Sequence, residues 1–330
     1  MVGVQPLSAH AKTGPAATLP RPILDMYLDS AIALIGCHSR GTERTSCEYD
    51  VLVISDEKLP PKSVRIGSVF MDLIFANEKE VLNPANPEYV LALAAAKPIR
   101  DSSLVFSTST AANSAVITES ARKASGVRLS SAVKILGRVD EALAKKSARD
   151  AEFWLLAATY EFGYAWLLSK EVLPSPSHLL SQMRDASRGT PAYFEAFSAG
   201  VGLEAAGRAG CGARLEGVSV LHDILRGRSQ GAQQVWPAAR TEVLAAKANA
   251  LISNAELAEC YSFLGQEVVD DILALMKGLP RKTFSDITSG SNRLLGERLV
   301  RQLGLARHDA AVRTSFEKVR KQVSALAKGV

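Results

Sequence analysis

The chain has 330 residues, 47% of them hydrophobic and 22% charged, and a formal net charge of +5. These are the proportions of a globular protein, so wholesale disorder is excluded, and the length predicts two domains rather than one core. No stretch approaches the roughly 20 apolar residues that span a bilayer, and no basic-then-apolar leader opens the chain, which predicts a cytoplasmic protein without a membrane partner.

Residues 1–20 mix Pro, Ala, Gly, Ser and Thr without periodicity and read as a flexible N-terminal arm. A short helix, Ile23–Leu28, leads into an apolar strand, Ala31–Gly36, that ends in glycine. A polar turn follows, and Asp50–Ser55 reads as the next strand. Ser63–Asn77 supplies one or two more; its alternation places Val69, Met71, Leu73 and Phe75 on one face and Phe70, Asp72 and Ile74 on the other. A helix is predicted after Pro87, then a Lys-Pro break and an extended piece around Leu104–Phe106.

From about Ala111 the pattern turns helical. The apolar spacing predicts helices at Ala115–Lys146, Ala148–Glu171, Ser177–Ala186, Tyr193–Ala206, Val218–Arg226, Trp236–Asn254, Ala255–Lys277 and Gly290–Ala327. Breakers are read at Leu173–His178, at the glycine-rich loop Ala206–Arg214 and at Lys277–Thr283. The expected fold is therefore α+β: a small mixed-sheet domain at 21–110, followed by an all-α helical bundle at 111–330 with a subdivision near 230.

Charge is unevenly placed. Residues 281–330 carry eleven Lys/Arg against four Asp/Glu, so this segment is basic and the rest of the chain slightly acidic. A solvated helix face accounts for it most simply, and an anionic partner such as RNA is the functional alternative. The four cysteines (Cys37, Cys47, Cys211, Cys260) show neither CxxC pairing nor histidines at metal spacing, so neither a disulfide framework nor a zinc site is expected.

The chemistry concentrates at Gly36–Ile54, GCHSRGTERTSCEYDVLVI. Glu48 and Asp50 stand two apart on a segment that reads as extended, so they share a face. Asp72 interrupts an apolar strand, where a carboxylate requires a cation, a partner or water. Three carboxylates on neighbouring strands are an economical way to hold Mg²⁺, and two ions about 3.5–4 Å apart can activate a hydroxyl and stabilise a leaving pyrophosphate. Gly36 allows backbone to approach a triphosphate.

In this spacing the stretch resembles the polymerase-β-like nucleotidyltransferase superfamily, closest to its minimal and aminoglycoside-type members. Gly36-Cys37 stands for the family's Gly-Ser, Arg40-Gly41-Thr42 for its turn, and Cys47-Glu48-Tyr49-Asp50 for Ser-Asp-x-Asp, with Asp72 as the later strand acid. Cys37 and Glu48 depart from the pattern. The resemblance covers residues 30–76 and, more weakly, the chain to about 108. It implies transfer of a nucleoside monophosphate from an NTP, with ATP the expected donor, to an acceptor hydroxyl that stays unidentified, with RNA suggested by the basic 281–330 segment. Glu48, Asp50 and Asp72 would be the catalytic residues and the ligands of two Mg²⁺ ions, and Gly36, Cys37, Ser39 and Arg40 would meet the phosphates. Two alternatives stand beside it: an inactive version of the fold that binds nucleotide or RNA, and a helical interaction scaffold. His38 in the turn and His178 at a helix start are weaker candidates for substrate contacts.

Overall fold

The computed structural model describes residues 21–44, 47–57, 59, 62–67, 69–81, 83, 87–101, 104–110, 114–228, 238–277, 284–288 and 295–329. The expected N-terminal arm, residues 1–20, lies outside them. So does part of the basic segment, including Arg281, Lys282 and Arg293.

The fold is α+β. Its elements run α1 (Arg21–Met26), β1 (Ile32–Ile35), α2 (Gly36–Arg40), β2 (Tyr49–Ile54), β3 (Lys62–Ile66), β4 (Val69–Ala76), α3 (Glu78–Val81), α4 (Pro87–Ala94), β5 (Lys97–Arg100) and α5 (Val105–Thr110). Helices follow: α6 (Ser114–Ala144), α7 (Ala148–Ser169), α8 (Leu179–Ala186), α9 (Pro191–Val201), α10 (Arg208–Arg228), α11 (Ala238–Ser253), α12 (Leu257–Lys277), α13 (Phe284–Thr288), α14 (Glu297–Gln302) and α15 (Asp309–Ala327). None of the described helices is long and apolar enough to cross a membrane.

The chain gathers into two compact units. One comprises Met1–Ala124, Glu171–Ser175 and Gln230–Lys247; the other comprises Ser125–Lys170, Pro176–Ser229 and Ala248–Val330. The first unit thus takes in the opening part of α11, which is distant in sequence from the sheet.

In that unit the five strands form one sheet in the order β3-β4-β2-β1-β5. The β2–β4 pair is parallel and the other neighbours are antiparallel, so the sheet is mixed. Alternation along the strands sorts side chains between two layers. Ile32, Leu34, Val51, Val53, Met71 and Leu73 form one buried layer, joined by Leu24 and Tyr27 from the segment around α1. Ala33, Leu52 and Ala76 form the other, with Val81, Leu93, Val105 and Phe106 from the helices that cover that face. Arg100 fastens α1 by donating from its guanidinium to the carbonyls of Leu24, Tyr27 and Leu28, satisfying the open end of a short helix.

Two local expectations in this unit fail. The extended piece near Leu104–Phe106 is instead α5, started by Asp101, whose carboxylate accepts the amides of Phe106 and Ser107. The extended segment is β5, on the Lys-Pro pair read as a break; Pro98 is tolerated there because β5 is an edge strand.

The second unit packs long helices around a core that includes Phe153, Phe162, Phe197, Phe284 and Phe316. Small residues let its helices approach closely: a Cβ on Gly163 would meet the Phe197 ring at 2.6 Å, and one on Gly200 would meet Thr159 Oγ1 at 2.1 Å. The glycine-rich stretch Ala206–Arg214, expected as a loop, instead contributes the first turns of α10. Close packing explains it, since a Cβ on Gly210 would sit 2.2 Å from the Ala205 carbonyl oxygen. The single helix expected at Gly290–Ala327 is broken between α14 and α15 by Gly304, whose φ of +74° is left-handed.

Candidate active site

Asp50 opens β2 and Asp72 lies within β4, and the parallel register sets them directly opposite each other. Both belong to the same sheet face as Leu52 and Ile74, the face covered by α3–α5, at the end where that apolar layer stops. Glu48, just before β2, completes the group. One carboxylate oxygen from each of Glu48, Asp50 and Asp72 lies within 4.8 Å of the others. The three acids singled out in the sequence are therefore neighbours in space.

Gly36 is shaped by the same arrangement. It follows β1, where Ile35 pairs with Asp50, and takes a left-handed φ of +72°. A Cβ at this position would lie 2.0 Å from Asp50 Oδ2, so only glycine leaves the carboxylate its space. Ser63 on β3 pairs with Asp72 and donates its hydroxyl to Asp72 Oδ1 at 2.6 Å, fixing the rotamer of that carboxylate.

The turn after Gly36 is braced from within. Ser39 is buried and its hydroxyl donates to the Gly36 carbonyl at 3.0 Å. Arg40 donates from Nε to the same carbonyl at 2.9 Å and from Nη1 to the Leu173 carbonyl at 2.6 Å. Cys37 is buried beside Cys47, and the hydrogen bond with the Cys47 thiol, then burial, push its thiol well above the usual range. The His38 ring stacks on Tyr49 at 3.9 Å and its Nε2 lies 3.3 Å from the Cys47 carbonyl. In this structure the Ser39, Arg40 and His38 side chains thus hold the turn's own backbone and neighbours. His178 lies at the start of the segment leading into α8, in the helical unit, and is buried.

A residue that the sequence reading passed over completes the site. Lys247, on α11, forms an ion pair with Glu48, and the two side chains are 6% and 14% exposed. It lies on the same helix face as buried Val243 and Leu244. A lysine on an otherwise apolar stripe was the available signal; its partner was not readable, because only the tertiary fold brings α11 to the end of β2.

The electrostatics are those of crowded like charges. At 4–5 Å and an effective dielectric of about 20, two carboxylates repel by roughly 3–4 kcal/mol before solvent screening. Asp50 takes most of this strain. Burial first, then the Glu48 charge and more weakly Asp72, push its carboxyl up to about 8, while Lys247 pulls it down and the Arg40 guanidinium also acts on it. Lys247 itself is held above its usual range by Glu48 and Asp50, against the effect of burial. A divalent cation fits the donor set: three carboxylate oxygens in reach of one centre, a glycine that clears the central ligand, and negative charge that one lysine does not balance.

No protein-family profile matches the chain, and no curated protein matches it significantly. Among solved structures, the fold is similar to that of a nucleotidyltransferase-like protein from Exiguobacterium sibiricum 255-15. The two are 14% identical, 86% of each chain is covered, and the TM-score is 0.33. A likeness this loose leaves the functional reading to the geometry of the site itself.

Proposed function

We propose that the α/β unit is a nucleotidyltransferase that moves a nucleoside monophosphate from an NTP, with ATP as the expected donor, to an acceptor hydroxyl. One observation carries this: Glu48, Asp50 and Asp72 converge to within 4.8 Å beside a glycine whose backbone conformation leaves room for nothing else. Mg²⁺ held by these carboxylates would neutralise the phosphates and lower the pKa of the attacking hydroxyl. Asp50, the central ligand, is oriented by the β1–β2 pairing. Asp72, which accepts the Ser63 hydroxyl, would take the proton of the acceptor hydroxyl. The braced turn Gly36–Arg40, with Cys37 and Ser39 inside it, gives the triphosphate a rigid wall, and Arg40 adds positive charge there.

One observation favours a second reading, in which the unit binds nucleotide without transferring it. The ion pair to Lys247 occupies a carboxylate that the transfer reading assigns to metal. The acceptor class is open, and the basic C-terminal segment adds little weight to RNA. Within the helical unit, four of its eight described Lys/Arg, namely Arg298, Arg307, Arg313 and Arg320, form ion pairs with Glu216, Glu152, Asp309 and Glu317.

The test is transfer of label from α-³²P-ATP, with Mg²⁺, to a pool of RNA, proteins and small alcohols. Transfer by the wild type and its loss in Asp50→Ala are expected. Binding of Mg-ATP without transfer selects the second reading, and neither binding nor transfer overturns both.

A further inference from the structure

We infer that the Lys247 ammonium fills one of the two cation positions of the acidic site, so that the site takes a single divalent ion, held by Asp50 and Asp72. This rests on the metal-site reading proposed above.

Three observations carry it. First, the contact is built rather than incidental. Lys247 is 5% exposed, in line with buried Val243 and Leu244, and its Nζ meets Glu48 Oε2 with both side chains almost out of solvent. An ammonium so placed requires an anion to receive it, because either charge left alone there would be buried without compensation. Second, the charges favour no more than one ion. Three carboxylates and the Lys247 ammonium leave two negative charges, and the Arg40 guanidinium acts on Asp50 as well, so a second divalent cation would leave a buried excess of positive charge. Third, the acids divide by their partners. Glu48 is engaged by the lysine, whereas Asp50 and Asp72 face each other across the parallel β2–β4 pair, beside the space that Gly36 keeps open. Glu48 is then the anchor of an internal cation and Asp50–Asp72 the metal seat. Lys247 acts through Glu48 as a positioning residue.

The experiment counts ions on the full chain after chelation, using Mn²⁺ alone as the probe, by equilibrium titration and electron paramagnetic resonance. The wild type is expected to bind one Mn²⁺ per chain with the spectrum of an isolated ion. Lys247→Met is expected to bind two, close enough to give a spin-coupled spectrum. The charge-neutral double variant Glu48→Gln/Lys247→Met is expected to keep one ion with the wild-type spectrum. Two coupled ions in the wild type overturn the inference and leave the nucleotidyl-transfer reading standing. A single ion in Lys247→Met, or loss of the ion in the double variant, also overturns it. Should Lys247→Met fail to fold, the wild-type count and the double variant still decide. No ion in any of the three proteins overturns both the inference and the metal site beneath it.

Discussion

The two units bury charge in opposite ways. In the helical unit, Glu152 accepts the Arg307 amide at 3.0 Å and its Nε at 2.8 Å, and Arg307 also donates to the Ala199 carbonyl. Arg214, 1% exposed, donates to the carbonyls of Leu303 and Tyr261 and lies 3.5 Å over the Tyr261 ring. Burial raises the Glu152 carboxyl, and every charged neighbour that acts on it, Arg307 then Arg214, pulls it back. At Asp50 burial also raises the carboxyl, but its carboxylate neighbours push the same way, against Lys247 and the more distant pull of Arg40. The first arrangement settles charge for the sake of the fold. The second leaves it unsettled, as the proposed metal-nucleotide site would require.

The sharpest way to break this contrast is to remove one charged residue from each unit. Asp50→Ala is expected to lower nucleotidyl transfer by about a thousandfold or more, measured by label transfer under single-turnover conditions, while the protein loses none of its thermal midpoint. Arg307→Met should do the reverse. It leaves the buried Glu152 charge without its hydrogen-bonded partner, with only the more distant pull of Arg214 remaining, and is expected to cost about 3–5 kcal/mol in chemical denaturation with little direct effect on the site. If Asp50→Ala destabilised the fold as much as Arg307→Met, the contrast would be wrong.

A smaller effect is expected at Gly36. Gly36→Ala places a methyl group against Asp50 Oδ2 and forces a left-handed φ on a residue that resists it, at a cost of roughly 1–3 kcal/mol. If the clash is with that carboxylate, the double variant Gly36→Ala/Asp50→Ala should recover part of the loss, so the double-mutant cycle is non-additive. Additive costs would locate the strain in the backbone alone.

How much of this was legible differs between the two units for physical reasons. The strands were readable because their alternation is set by a sheet with two buried layers: Val69, Met71, Leu73 against Asp72 and Ile74 is a period-two pattern wherever it occurs. The acids were readable as a group because two of them share a strand face and the third interrupts an apolar strand. The helical unit was readable as helices, but not in its breaks. Glycine signals a loop in local chemistry, yet in α10 Gly210 serves close packing, and at Gly304 the left-handed turn lies where a Cβ would meet Arg214 Nη2 at 2.3 Å. Lys247 shows the same limit at the site. A lysine on an apolar stripe announces a buried partner without naming it, because Glu48 reaches it only through the tertiary fold.

The mildest perturbation is pH, and it reads the unsettled charge directly. Asp50 titrates at about 8 in the folded protein, and an unfolded aspartate near the ordinary value of 3.8. Between these values the folded state holds a proton that the unfolded state has released, so stability falls as pH rises through the window and levels off above about 8. The metal-free protein is therefore expected to melt several degrees higher at pH 5 than at pH 8.5, since about 1 kcal/mol moves the midpoint of a domain this size by roughly 2–4 °C. Asp50→Asn, neutral throughout, should lose that part of the slope and be more stable than the wild type at pH 8.5. Saturating Mg²⁺ should raise the wild-type midpoint more at pH 8.5 than at pH 5, because binding requires the proton to leave, and should leave Asp50→Asn unmoved. The comparison between the units sets the control: Arg307→Met alters stability, but the Mg²⁺-dependent change in slope should persist in it. A wild-type slope that neither Mg²⁺ nor Asp50→Asn alters would place the titrating charge elsewhere in the chain.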